Sequence, residues 1–155
     1  MYTYDRANRL LNSQYTGVGN ENYSVSNSYD GNGNILNLQR YSKTGTNTFG
    51  LVDNLTYSYL NNGNKLLKID DSINGNIEVN DFRDVAGNDY AFSVDGKMTK
   101  DGNKGIANIR YNYLDLVSST KFNNNDSVSY WYSSTGSRIQ RKVVKSRTTR
   151  QLYNL

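Results

Sequence analysis

One segment recurs along this chain and limits its fold more than any other feature. Tyr2-Thr3-Tyr4-Asp5-Arg6-Ala7-Asn8-Arg9-Leu10-Leu11 returns as Asn27-Ser28-Tyr29-Asp30-Gly31-Asn32-Gly33-Asn34-Ile35-Leu36. It returns again as Tyr57-Ser58-Tyr59-Leu60-Asn61-Asn62-Gly63-Asn64-Lys65-Leu66. Weaker copies are Phe92-Ser93-Val94-Asp95-Gly96-Lys97-Met98 and Tyr130-Trp131-Tyr132-Ser133-Ser134-Thr135-Gly136-Ser137-Arg138-Ile139. The shared order is an aromatic, often Asp, two variable residues, Gly, a polar residue and then an aliphatic. Tyr111-Asn112-Tyr113 marks one further unit with no Gly after it.

This order has a mechanical reading. Tyr57/Tyr59, Tyr111/Tyr113 and Tyr130/Tyr132 are spaced by two, so in a strand both rings of each pair leave one face. An Asp such as Asp5 or Asp30 then opens a tight turn by accepting backbone N–H groups, and a residue with positive φ closes it. The closing positions are Asn8, Gly33, Gly63, Gly96 and Gly136. Asn at the first is consistent, because it tolerates the left-handed region better than any other non-Gly residue. The aliphatic that follows starts the return strand, so each unit is a β-hairpin.

The remaining composition agrees. There are 14 Tyr, 4 Phe and 24 Asn among 155 residues, and mean hydropathy is −0.79. Tyr favours pleated surfaces, whereas Asn and Gly favour turns over helices. No helical apolar period persists, so the predicted fold class is all-β: an antiparallel hairpin ribbon, open or partly curled. Its polar connectors are 17–22, 43–47, 74–76, 101–105 and 123–126. The run 81–90 reads as extended. Residues 1–144 form the repeat region and 145–155 a basic C-terminal tail.

The chain has no His, Cys or Pro. Nucleophiles that need a His partner, His or thiolate metal centres and disulfide frameworks are therefore excluded. Only Glu21 and Glu78 supply glutamates, neither in an apolar setting. Asp70, Asp71, Asp81, Asp84 and Asp89 read as a solvated acidic stretch. The run Asp30-Gly31-Asn32-Gly33-Asn34 imitates the start of a calcium loop, but Tyr41 stands where a bidentate Glu belongs, so a hairpin turn explains it better. The reading is non-enzymatic, with no catalytic residue, cofactor or metal.

Residues 1–126 carry a net charge of −2, whereas 127–155 carry six cations and no acid. Arg138, Gln140 and Lys142 alternate with Ile139, Arg141 and Val143, so the first half of this segment reads as a last strand with charged edges, and such charges discourage edge pairing. A nucleic-acid arm is the weaker reading, because aromatic residues are nearly absent after Tyr132. No apolar run approaches a membrane span, and the start has no signal-peptide pattern, so a cytoplasmic location stays open.

Tyr-Asp-x-x-Gly-Asn-x-Leu units, with the segment Tyr111-Asn112-Tyr113-Leu114-Asp115-Leu116, resemble the YD repeats of Rhs proteins. The stretch from Asp95-Gly96-Lys97-Met98 through Tyr113 is similar to the repeat region before the Rhs core in bacterial members, especially of the Bacteroidetes type. The resemblance spans roughly 2–144. It implies a β-ribbon that spirals into a hollow shell, enclosing a toxin in some relatives and presenting a cell-surface module in others. It also implies an extracellular or cell-surface location, and further YD repeats or an Rhs core as partners. The chain departs from the family in lacking Asp at Leu60, Ser93 and Ser133, and in having Val117 where relatives often carry Pro. It has no counterpart of the proline-containing autocleavage motif. It reads as a fragment or a short degenerate member, and toxin activity is not carried over.

Open sheet edges predict self-association or marginal stability in isolation. The alternative function is a carbohydrate-binding β module that offers Tyr130, Trp131 and Tyr132 to a glycan. That alternative predicts several coplanar rings in one groove.

Overall fold

The computed structural model of the chain describes residues 1–15, 17–73 and 82–146, together with the backbone of 148–153. These residues contain strands, turns and one short 3-10 turn at Leu60–Asn62, with no α-helix. The strands are β1 (Tyr2–Tyr4), β2 (Leu10–Ser13), β3 (Val25–Tyr29), β4 (Ile35–Gly45), β5 (Thr48–Tyr59) and β6 (Leu66–Asp71). They continue as β7 (Tyr90–Phe92), β8 (Met98–Asp101), β9 (Ile106–Tyr111), β10 (Val117–Phe122), β11 (Ser127–Tyr132), β12 (Arg138–Lys145) and β13 (Thr148–Tyr153). Each strand pairs antiparallel with its sequence neighbour, giving one sheet β1 to β6 and another β7 to β13. Neither sheet closes into a barrel. The chain divides into two compact units, Met1–Asp84 and Val85–Leu155.

The repeats set this topology. Every outgoing strand of a hairpin ends on an aromatic: Tyr4, Tyr29, Tyr59, Phe92, Tyr111 and Tyr132. In the first unit the Asn8 N–H donates to the Asp5 carbonyl at 3.1 Å, and the Asp5 N–H donates to the Arg9 carbonyl at 2.9 Å. The same two bonds recur at 30–34, 93–97, 112–116 and 133–137, and at the opposite strand ends in 122–126. Asn8, Gly33, Gly96 and Gly136 hold positive φ, between 59° and 90°. At each repeat turn the strand register slips by one residue beside the aromatic, for instance between Ser28 and Tyr29. One left-handed residue closing a tight turn produces this bulge.

Three expectations need correction here. Gly63 sits at φ −92°, and the left-handed residues of its turn are Asn61 and Asn62. That loop is one residue longer, with the Leu60 N–H reaching the Lys65 carbonyl, so two asparagines share the reversal. Tyr113 does not pair with Tyr111 on a strand face. It is a variable turn residue, 82% exposed, inside a turn opened by Asn112 and closed by Asp115 at φ 62°. Residues 82–89 belong to no strand and bend at Ala86 and Gly87, and the strand begins only at Tyr90.

The connectors are largely as predicted, although 43–47 shrinks to Thr46 and Asn47 because β4 runs through Gly45. The connector 74–76 lies outside the described residues. The acidic stretch is not a solvated loop. Asp70 and Asp71 lie in β6, Asp84 accepts the Asp71 N–H at 3.1 Å, and Asp89 is fully buried. Asp81 lies outside the described residues.

Among the described residues, the buried apolar core is only Val52, Leu55 and Ile69, all in β5 and β6. Several Asn and Gln side chains instead form cross-strand pairs. Asn12 donates to Thr3 Oγ1 at 3.1 Å, Asn37 to Ser28 Oγ at 3.0 Å and Gln39 to Asn54 Oδ1 at 3.1 Å. Directly opposed polar pairs of this kind stabilise a sheet whose face stays wet.

The turn geometry makes a sharp prediction. Gly33→Ala should cost about 1–2 kcal/mol, the penalty of forcing a Cβ into the left-handed region. An added Cβ there meets only Arg9 Nη1 at 3.8 Å, so crowding contributes nothing. Gly31→Ala, in open space, should be neutral or slightly stabilising. Urea denaturation of the two variants checks the contrast.

Candidate functional site

The six repeat turns lie along one end of their strands, three in each sheet. Within each turn the opening side chain replaces a missing backbone partner. Asp5 Oδ1 accepts the N–H groups of Ala7 and Arg9 at 2.8 and 2.9 Å, and Asp30 Oδ1 those of Asn32 and Asn34 at 2.9 and 2.8 Å. Asn112 Oδ1 accepts from Leu114 and Leu116 at 2.9 and 3.0 Å. Where Asp is missing, the Ser93 and Ser133 hydroxyls each accept the N–H four residues on at 3.1 Å. The requirement is a short side-chain oxygen, which Asp, Asn and Ser all carry.

These bonds tune the carboxylates. The Asn34 side-chain amide, followed by backbone N–H groups, holds Asp30 below the ordinary carboxylate range, and the Arg9 N–H does the same for Asp5. Lys97, with Ser93, lowers Asp95 to about 2. Asp115 first and Asp95 second raise Lys97 to about 12. These groups serve as fixed charges rather than as acids or bases near neutral pH.

Successive hairpins are joined by a repeated contact. The hydroxyl of the aromatic before one turn donates to the carbonyl of the first residue after the previous turn. Tyr29 reaches Leu10 at 2.8 Å and Tyr59 reaches Ile35 at 2.8 Å. In the second sheet, Tyr111 reaches Met98 at 2.8 Å and Tyr132 reaches Val117 at 2.9 Å. Every junction between neighbouring hairpins within a sheet therefore carries one such stitch. The residue just before each accepting carbonyl adds a second link. Arg9 donates to the Asp30 carbonyl at 3.0 Å and lies 4.7 Å from the centre of the Tyr29 ring. Asn34 donates to the Gly63 carbonyl at 3.3 Å, and Lys97 to Asp115 Oδ1 at 2.6 Å. Leu116 packs beside Gly136, 3.6 Å from where a Cβ would stand.

The three aromatics proposed to face a ligand have different surroundings. Tyr132 is half-buried and its hydroxyl is taken by Val117. Tyr130 is half-buried, with the Arg138 guanidinium 5.5 Å from its ring centre. The two rings stand 6.5 Å apart and are tilted by 43°. Trp131 projects from the other face and is 43% exposed.

A second aromatic group was not legible from the sequence, because its members come from a connector and a distant strand. Tyr15, Tyr23 and Phe49 stack edge to face at 5.4 and 5.3 Å, each pair at 80°. Tyr15 donates to Glu21 at 3.0 Å, and that carboxylate raises the phenol's pKa. Gly17 permits the closure, since a Cβ there would lie 2.4 Å from the Tyr15 ring. A groove of about 350 Å³ lies beside Asn12, Gln14, Ser26 and Tyr41, and another of about 380 Å³ beside Glu21, Tyr23, Lys43 and Phe49. Edge-to-face rings do not make a flat platform.

Among the described residues no group of three metal-ligating side chains occurs, and no helix is long and apolar enough to cross a membrane. No family model matches the chain, and no curated protein matches it.

Proposed function

We propose that this chain is a non-enzymatic structural scaffold of the YD-repeat type, whose hairpins add side by side to build part of a shell around, or a support for, another module. The stitching carries this reading. One hydroxyl-to-carbonyl bond joins each pair of neighbouring hairpins, so the unit is built to be extended by more of the same. Tyr4 occupies the same place before its turn as Tyr29, but β1 is a sheet edge and the ring is 56% exposed. Its natural partner is the return strand of another hairpin, in further repeats or a second copy. An extracellular or cell-surface setting accords with such a role.

Light scattering after size exclusion over a range of concentrations tests the idea. The expected result is reversible self-association that Tyr2→Lys/Tyr4→Lys abolishes, because edge charge opposes strand pairing. A monomer at every concentration, with high thermal stability, overturns it. The glycan-binding alternative retains one supporting observation, the exposed Trp131, without the coplanar rings it called for.

A further inference from the structure

The aromatic group of Tyr15, Tyr23 and Phe49 uses no residue of a repeat turn or a stitch. The connector between β2 and β3 carries the first two rings, and β5 carries the third. Three bonds fix that connector. Tyr15 donates its N–H to Ser24 Oγ at 3.3 Å and its hydroxyl to Glu21 Oε2 at 3.0 Å, and Asn22 Oδ1 accepts the Ser24 N–H at 3.0 Å. Yet the rings are not buried by this closure: Tyr15 is 42% and Tyr23 45% exposed. Tyr23, half-buried Phe49, Glu21 and exposed Lys43 line the groove of about 380 Å³, a volume within the range of small-ligand sites. Lys43 stands directly across from Phe49 in the β4–β5 pair. Among the described residues, Glu21 and Lys43 are the two charged groups along the groove, and they form an ion pair neither with each other nor with any other side chain.

We infer that this groove binds a small zwitterion in which a quaternary ammonium is joined through a short linker to an anionic group, as in phosphocholine. Tyr23 and Phe49 stand at 80° to each other and make two walls of a corner, where the negative ring faces attract a cation. Glu21, bonded to the ring that packs on Tyr23, adds a carboxylate beside that corner. Lys43 takes the anionic group. A quaternary head suits the corner better than a primary ammonium does. Its methyl groups need no acceptors, whereas a primary ammonium brings three donors, and one Glu21 oxygen is already taken by Tyr15. With one charge of each sign in the groove, a zwitterion meets both, while a simple cation is repelled by Lys43. The site goes beyond the scaffold reading and does not depend on it, since it uses neither a sheet edge nor a repeat turn.

Titration of the isotope-labelled full chain with phosphocholine, followed by amide NMR, should give saturable shifts centred on residues 18–23 and 43–49. Phosphoethanolamine, with a primary ammonium, and choline, with no anion, should each bind about tenfold more weakly. Tyr23→Leu should weaken phosphocholine about tenfold, and Glu21→Gln, which keeps an oxygen for Tyr15, should weaken it several-fold. Lys43→Gln should abolish the preference for phosphocholine over choline. Tyr113→Leu, an exposed ring in the other unit, should bind as the parent does. Circular dichroism verifies that Tyr23→Leu is folded, and the two charge variants serve if it is not. Cosedimentation with phosphatidylcholine vesicles separates the two sources of this chemistry. Sedimentation with the vesicles assigns a lipid head group, its absence beside saturable binding of the soluble compound assigns the free zwitterion, and both uphold the site. The proposal is overturned by no saturable shift, by shifts centred elsewhere, by equal binding of phosphoethanolamine or choline, by equal weakening from Tyr113→Leu, or by parent-like binding of the folded groove variants.

Discussion

Replacing Arg40 by Met is expected to destabilise the N-terminal sheet by about 3–5 kcal/mol, the cost of leaving a buried charge without its partner. Asp53 is 3% exposed and sits directly across from Arg40 in the β4–β5 pair, where the guanidinium Nε binds Asp53 Oδ2. Its other oxygen, Oδ1, is buried and has no hydrogen-bond partner. Without Arg40 the carboxylate would therefore be almost wholly unsatisfied. The double variant Arg40→Met/Asp53→Leu should regain most of the loss, because two apolar side chains of similar size leave no charge to solvate. Urea denaturation of the parent, the single and the double variant measures both effects. A single variant as stable as the parent would show that the pair contributes no net stability.

Removing four hydroxyls should have a comparable effect, spread over both units. Tyr29→Phe with Tyr59→Phe deletes two stitches in the first sheet, and Tyr111→Phe with Tyr132→Phe deletes two in the second. At about 0.5–1.5 kcal/mol for each hydrogen bond, each sheet should lose about 1–3 kcal/mol. The rings remain, so packing is conserved and the loss reports the hydroxyl alone. Tyr4→Phe is the internal control. Among the described residues Tyr4 ends an edge strand with no earlier hairpin beside it in its sheet, so its hydroxyl makes no such stitch within the monomer and the change should leave the monomer's stability unaltered. Phe92, at the same position in β7, lacks a hydroxyl and also ends an edge strand. Hydrogen exchange at the junction strands should quicken in the four-site variant and stay unchanged in Tyr4→Phe.

Ser93, Asn112 and Ser133 show what local chemistry does and does not demand. A repeat defined by Asp treats them as degenerate, yet each supplies an oxygen at the distance the turn needs. Asp115 likewise stands where Gly is expected and accepts the left-handed conformation. The Leu60 turn departs further. With no oxygen at its opening position, it lengthens by one residue and moves the left-handed conformation to Asn61 and Asn62.

Sequence alone determined the hairpins, their order and the end of the sheet that carries the repeat turns, because these depend on contacts within about five residues. An aromatic, a short oxygen-bearing side chain and a residue tolerant of positive φ specify a reversal wherever they occur. Only tertiary structure decided which Tyr hydroxyls become stitches, that Tyr15, Tyr23 and Phe49 meet, and that Asp53 and Asp89 are buried. Those outcomes depend on strand register and on residues far apart in the chain. Register is a cooperative property of whole strands, since a one-residue slip would turn every side chain to the opposite face.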